Sequence, residues 1–559
     1  MTNKNEDELV FLPLGGCGEI GMNLSLLGLG PRKKHQYIMV DLGVTFGDSR
    51  TPGVDLIMGD PDYIEKRKDQ LLGLVLTHGH EDHIGAVAQL WPRLRCPIYA
   101  TPFTAELVNA KLAEVGLLGE AEVTVVPLGG RVELGPFDIE YVTLTHSTLE
   151  PNALAIRTPL GTVLHTGDWK LDPDPMVGEV TDEEYLRKLG DEGVLAMLCD
   201  STNVFNAGSA GSEGDVRKSL TELIGTLENR VAITGFASNI ARVESVIHAA
   251  TANDRHVALV GRSMHRYSEA AKRVGYLKDI PNLISDEDAG FLPKDKVVYL
   301  CTGSQGEPRA ALGRIAEGDH PAVTLEEGDT VVFSSRVIPG NDVGIYDLQN
   351  RLAEQGIEII TDREHFVHVS GHPCRDELAT MYAWVRPHIA VPVHGEARHL
   401  LEHAQFARSL QVPEAHVARN GSMLRLAPGD AEIVEQVDHG RLYLDGDLLV
   451  GSDDPGMRLR KRMAVSGQVI VTVVLDKAGD MLADAVIRLA GVPQETLSRD
   501  PDFVGTLQSA AEDAVEGLSN KRAKDDIAVE EAVRRAVRAP IRKVWGKKPL
   551  LDIQVIRTD

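Results

Sequence analysis

Residues 78–83 read HGHEDH and follow the apolar run LVLT. Three imidazoles and two carboxylates in six positions are more ionisable chemistry than a loop needs in order to fold. Imidazole and carboxylate are ligands that zinc and manganese accept. A loop carrying His78, His80, Asp82 and His83 can close around one ion if all four face it. If His78 and His80 face one way and Asp82 and His83 the other, the loop begins two adjacent sites. Each site then needs more ligands. The chain offers His146 in LTHS, Asp168 in HTGDW and His394 in VPVHGE, each at the end of an expected strand. A carboxylate can bridge two ions, and Asp168 is the candidate for that place. The sets then close as His78, His80, His146 and Asp168 on one divalent ion, and Asp82, His83, Asp168 and His394 on the other. Zinc and manganese both suit such N/O donors. A lone histidine at a strand end is ordinarily a hydrogen-bonded structural residue, and 19 histidines make chance placement easy. The weight therefore rests on four metal-capable residues within one six-residue loop.

Rigid elements must hold these side chains. Short apolar runs bounded by turn formers predict strands in YIMVDLG, LLGLVLTHGH, FDIEYVTLTHS, GTVLHTGDW and VLAMLCDST, with a helix over TAELVNAKLAEVGL. The ionisable residues fall at strand ends, where a sheet can hold loop side chains over one edge. From about Asp215 strands alternate with helices through VAITGF, HVALVG, KVVYLCTGSQGEP and DTVVFSSRVIPGN, the pattern of a parallel doubly wound layer. From Ile357 the strand-plus-ligand pattern returns. After about Gly451 a small α+β unit is expected: a strand in QVIVTVVLD, a helix-rich middle, and a strand in LLDIQVIR.

Bulk properties bound the reading. At 559 residues the chain exceeds one ordinary core, so two to four domains are expected. It has no apolar run long enough for a membrane helix, and its start lacks the basic and apolar regions of a secretory signal. Five scattered cysteines without a CxxC pair fit reduced thiols. A cytoplasmic location is expected. A net charge of −25 argues against indiscriminate nucleic-acid binding, which comes from neutralised phosphates. One basic stretch, Lys521 to Lys548, reads as a solvated helix face. The Gly-rich LGGCGEIG lacks dinucleotide-fingerprint spacing and reads as a tight turn.

THGHEDHIG, the strand-end His146, TGD and the late His394 resemble the metallo-β-lactamase superfamily. Asp200 in CDSTN, His372 in VSGHP and His394 in VPVHGE are similar to motifs A, B and C of its β-CASP nucleic-acid-processing branch. PLGGCGEIGMN, VDLGVTF, FASNIARV, CTGSQGEPRAAL, SSRVIPGN and HVSGH further resemble the bacterial ribonuclease J family, from the N-terminus to about residue 425. Beyond that the resemblance is one of layout. It implies an α/β fold: an αββα sandwich over 1–214 and 357–450, an inserted β-CASP domain over 215–356, and a C-terminal α+β domain over 451–559. It implies a two-metal ribonuclease that degrades single-stranded RNA from a 5′-monophosphate in the 5′-to-3′ direction and also cuts internally, in mRNA decay and RNA maturation.

In that expectation His372 protonates the leaving oxygen and Asp200 orients it by accepting its second N–H. Asp82 joins them in the catalytic set, while Asp41 in VDLG supports the metal loop rather than touching metal. Ala237, Ser238, Asn239 and the stretch His368, Val369, Ser370, Gly371 and His372 hold the RNA's phosphate and 5′ nucleotide. Expected partners are RNA, a second copy through the C-terminal domain, and other RNA-decay proteins; no membrane is expected. The alternatives are a DNA-processing β-CASP nuclease, disfavoured because that branch typically has valine where His394 stands, a small-molecule hydrolase, and a non-catalytic paralogue, which would lack a metal ligand.

Overall fold

The computed structural model describes residues 7–558 apart from Pro308 and Pro339. The chain folds into two compact units. One runs to Thr45 and resumes from Met58 to Arg441; the other comprises Phe46–Ile57 and Leu442–Asp559.

In the first unit the apolar runs pair into two sheets. The first has eight strands in the order Glu432–Gln436, Ser422–Ala427, Asp7–Gly15, Leu24–Pro31, Gln36–Val40, Leu71–Val75, Ile98–Ala100 and Val123–Val125. The second has seven: Arg131–Leu134, Phe137–Thr143, Asn152–Thr158, Gly161–His165, Ala196–Asp200, Ile389–Val393 and Glu414–Ala415. Their facing surfaces share one core, Phe11, Leu27 and Ile38 from one side against Leu154, Leu198 and Val391 from the other, all fully buried. Each such side chain contributes about 1.5–3 kcal/mol by leaving water. Helices Glu183–Glu192, Arg375–Val385 and Ala397–Ser409 cover the second sheet's outer face through Leu186, Leu378, Met381 and Ala404. Pro102–Glu114 lies on the edge strands of the first. This is the αββα sandwich that the family resemblance implies.

Strand direction decides where the chemistry goes. Gly161–His165, Ala196–Asp200 and Ile389–Val393 are parallel neighbours. Their carboxyl ends therefore bring Asp168, Asp200 and His394 to one edge. Gln36–Val40 and Leu71–Val75 are parallel as well, so Asp41 and His78 emerge together.

Because Ala196–Asp200 and Ile389–Val393 lie side by side, the chain can leave the sandwich, build another layer and return to the same edge. That layer is a five-stranded parallel sheet: His256–Val260, Val297–Cys301, Val231–Thr234, Thr330–Phe333, Glu358–Ile360. Helices Glu213–Thr226 and Ile240–Ala252 pack on one face through Val216, Leu220 and Val246. Ala311–Glu317 and Asp342–Glu354 pack on the other through Leu312, Ile345 and Leu352. A doubly wound layer is what the alternating pattern predicts.

The second unit carries a three-stranded sheet in the order Met481–Ala490, Gln468–Leu475, Leu550–Arg557. The middle is helix-rich as expected, with Glu495–Arg499, Phe503–Glu516, Asn520–Ala523 and Asp526–Val544, but it opens with a strand absent from that expectation, Met481–Ala490. Its Ala- and Leu-rich sequence suits a helix, but antiparallel pairing with Gln468–Leu475 wins, turning Ala485, Ile487 and Leu489 inward. Helix Asp526–Val544 holds the basic stretch's arginines apart from Arg522, which lies in Asn520–Ala523. Val529, Val533, Val537 and Ile541, spaced by four, face the core, while Arg535, Arg538 and Arg542 face water. Among the described residues no helix is long and apolar enough to cross a membrane.

Candidate metal centre

The six-residue loop divides as its alternation suggests. His80 N-caps the short helix Glu81–Ile84, which carries Asp82 and His83. His78 Nε2 lies 3.2 Å from His80 Nδ1, and His146 Nε2 lies 3.1 Å from the same atom. The second group meets at Asp168 Oδ2, with His83 Nε2 at 3.1 Å and His394 Nε2 at 3.5 Å. Asp82 Oδ2 is 3.6 Å from each of those nitrogens. Donors at 2.0–2.1 Å from a tetrahedral ion stand about 3.3 Å apart, so both groups have the spacing of a ligand shell. Asp168 Oδ2 is also 4.0 Å from His78 Nε2 and 3.9 Å from His146 Nε2. The structure thus brings all seven sequence-predicted ligands together, with Asp168 between the two groups.

A further layer of hydrogen bonds sets which nitrogen of each imidazole faces inward. His83 Nδ1 donates to Asp41 Oδ2 at 2.7 Å, and Asp41 also accepts from Thr77 N and Oγ1. Asp41 is therefore committed to the loop, as expected. His78 Nδ1 pairs with Thr77 Oγ1 at 2.9 Å, His146 Nδ1 with Gly371 O at 2.5 Å, and His394 Nδ1 with Asn23 Oδ1 at 3.0 Å. Each of these four rings turns Nε2 to the centre, where His83 Nε2 also meets Asn23 Nδ2 at 3.1 Å. Asn23 and Thr77 carry roles that the sequence did not reveal. Asn23 also donates to the Asp82 carbonyl, pinning the loop from the other side.

The electrostatics fit cations. Burial holds His78, His146 and His80, the last to about 4, below the ordinary range, in the neutral form that coordinates metal. Burial acts the same way on His83, yet Asp168, Asp82 and Asp41 outweigh it and hold His83 well above its ordinary value. That surplus of negative charge is what a divalent ion would offset. Asp168 Oδ1 and His394 Nε2 are buried without a hydrogen-bond partner. Orphaned polar atoms of this kind cost free energy unless something coordinates them. The donor set fits divalent metal.

Beside the two groups stands His372, its Nδ1 2.8 Å from Asp200 Oδ2. Burial would lower it, but Asp200, Asp168 and Asp82 together hold it up to about 9. Ser370 Oγ accepts from Asn203 Nδ2 and from the His372 amide, so the HVSGH turn is braced by Asn203, a third residue unremarked in the sequence. Gly371 fits only without a side chain: a Cβ would lie 2.7 Å from His146 Cε1. Of the expected phosphate-binding residues, Ser238 is half-buried at the start of the 13-residue helix Ile240–Ala252. Asn239 caps that helix through the Arg242 amide and donates to Glu213, and Val369 packs into the insert's core. These two offer the site backbone only. His368 Nδ1 is buried and unpartnered.

Family models match four consecutive segments. They are the metallo-beta-lactamase superfamily over 32–224, the ribonuclease J beta-CASP domain over 228–352, the Zn-dependent metallo-hydrolase RNA specificity domain over 356–413, and the ribonuclease J C-terminal domain over 456–558. Ribonuclease J of Sinorhizobium meliloti is 48% identical over 552 residues, covering 99% of this chain and 98% of that one. The chain belongs to the ribonuclease J family. Ribonuclease J of Mycolicibacterium smegmatis is 38% identical over 97% of this chain and 96% of its own. A crystal structure of a protein of unknown function from Enterococcus faecalis matches in fold with a TM-score of 0.51, at 17% identity, over 75% of this chain and 100% of that one. Family membership accounts for the architecture: a metallo-β-lactamase domain, an inserted β-CASP domain and a C-terminal ribonuclease J domain. It also gives the enzyme class, a metal-dependent ribonuclease.

Proposed function

We propose that this enzyme degrades RNA from a 5′-monophosphate in the 5′-to-3′ direction and also cleaves internally, using two divalent ions, zinc or manganese. Its setting would be mRNA decay and rRNA maturation in the cytoplasm. The observation that carries the proposal is Asp168 Oδ2, which lies within 4.0 Å of nitrogens from both ligand groups. Two ions held there would supply activated water near neutral pH and neutralise phosphoryl charge. The protein's own residues do the rest. His78, His80 and His146 would hold one ion and Asp82, His83 and His394 the other, with Asp168 placed between the two groups. Asp200 holds His372 by Nδ1, which leaves Nε2 to give a proton to the leaving 3′ oxygen.

For the 5′ phosphate, the helix start at Asn239 and the unpaired Ser238 hydroxyl make an anion-binding end. The buried, unpartnered Nδ1 of His368 supports the same pocket. We assign the sandwich to 1–214 and 357–450, apart from Phe46–Ile57 and the stretch from Leu442, which cluster with the second unit, the insert to 215–356 and the C-terminal domain to 451–559, the last as the contact between two copies. The deciding experiment offers one RNA sequence with 5′-monophosphate, 5′-triphosphate or 5′-hydroxyl, and the matching DNA, to chelated protein with metal restored. Single nucleotides released first from the monophosphate form support the proposal. Equal cleavage of DNA, or indifference to the 5′ group, would contradict it.

A further inference from the structure

Two motifs take no part in the metal centre, CTGSQGEP and SSRVIPGN. They leave the carboxyl ends of Val297–Cys301 and Thr330–Phe333, on the edge of the insert's sheet that also carries Ala237–Asn239. Gln305 ties them into one body. Its Nε2 donates to Arg336 O at 3.0 Å, and its Oε1 accepts from Ile338 N at 3.0 Å. Beside them lies a cavity of about 320 Å3 with Phe333 and Ile359 among its apolar walls. Its polar lining includes Ser304, Ser335, Tyr346, Gln349 and Asn350.

None of these five side chains has a hydrogen-bond partner among the described residues, although Ser304 and Ser335 are only 2% and 6% exposed. The two hydroxyls open onto the cavity rather than being sealed from solvent, so an occupant there can meet them. Tyr346 adds an aromatic ring that is 43% exposed. Arg336, next to Ser335, keeps a half-free guanidinium, meeting Asp362 only at 3.8 Å. Carboxyl ends of parallel strands are where open α/β layers bind ligands. The turn Thr361–Glu364 forms another wall and runs on, within one segment, to His368–His372.

We propose that this cavity is a nucleobase site, distinct from the pocket for the 5′ phosphate. The base stacks on Tyr346 and meets the amides of Gln349 and Asn350, with its phosphate turned toward Arg336. The volume is at the small end of ligand pockets, which run about 300–1,000 Å3, and suits one nucleoside rather than two. An aromatic face with amide and hydroxyl groups is how unstacked bases are held. The proposal rests on the ribonuclease reading. The same chemistry has two sources, a nucleotide released by cleavage and a base of a strand reaching past the metal centre.

The test titrates the full-length protein with adenosine, cytidine, guanosine and uridine 5′-monophosphates and with inorganic phosphate, by calorimetry. Wild type is compared with Tyr346→Ala, at an exposed position, and Ser335→Leu, which fills the cavity. Released nucleotide as ligand predicts binding weakened about fivefold or more in both variants, the low end of what a lost base–aromatic stack costs, with phosphate unaffected. Strand as ligand predicts unchanged mononucleotide binding but a KM for monophosphorylated RNA raised by that factor at constant kcat. Nucleotide binding and KM both unchanged in both variants overturn the proposal. Failure of the ribonuclease reading looks different, because the wild type then leaves RNA intact.

Discussion

His372 gives Nδ1 to Asp200 and keeps Nε2 unpaired, a division of labour that separates binding metal from moving a proton. His372→Ala is expected to keep its metal, measured by elemental analysis, while hydrolysis falls by about 10²–10⁴, the usual worth of a placed general acid. Normal cleavage by that variant would remove the proton donor. Gly371→Ala tests the neighbouring contact. The added methyl meets the His146 ring, so metal affinity at the first group should fall while the second group holds. Competition with a chelator reads both sites. The ligands themselves are legible in the sequence because metal chemistry admits few residue types and HGHEDH crowds them. Asn23 and Thr77 are not. An amide serving an imidazole 371 residues away leaves no local pattern, and a threonine before a histidine looks like ordinary strand. Asp41 and His394 sit at φ of 62° and 52°, a left-handed backbone that only the finished site requires.

Between elements, a buried chain of charges couples the sandwich to the insert. Lys170 Nζ meets Asp172 Oδ2 at 2.8 Å, and Asp172 accepts from the Glu213 amide. Glu213 pairs with Arg242 at 3.0 Å, and Arg242 donates to the carbonyls of Ser334 and Val367. Burial would raise Glu213, but Arg242 and Lys170 outweigh it and bring the carboxyl down to about 2. A depressed carboxyl stabilises the fold above its unfolded value near 4.5, and that stability is lost as pH falls toward 2. The expected loss is of order 3 kcal/mol over that window. Thermal unfolding from pH 6 to pH 3.5 should therefore steepen less in Glu213→Gln than in wild type, although the variant starts lower at neutral pH. Parallel acid profiles would show that the pair contributes nothing. Strands ending in ligand residues are legible from their apolar runs. Met481–Ala490 is not, because its composition favours helix and only pairing with Gln468–Leu475 decides otherwise.

For the whole molecule, the alternation of strands and helices from about Asp215 is enough to expect an α/β layer, whereas the sandwich around it comes from the family resemblance of the motifs. The assignment of Phe46–Ile57 to the second unit escapes such reasoning. It depends on long-range pairing such as Asp55 N to Leu444 O at 3.1 Å. In that unit the sheet's outward face exposes Leu482, Val486 and Ile556. If two copies meet there, Val486→Glu should convert a dimer to a monomer in sedimentation without lowering the unfolding temperature. An unchanged oligomer would place the contact elsewhere.

The most direct test of the two-ion centre is to count metal per chain during reloading of chelated protein, with cleavage of 5′-monophosphorylated RNA followed in the same samples. Two divalent ions per chain, with hydrolysis returning as the pair fills, is the predicted result. A protein that takes up none, or that cleaves equally well in chelator, would contradict it.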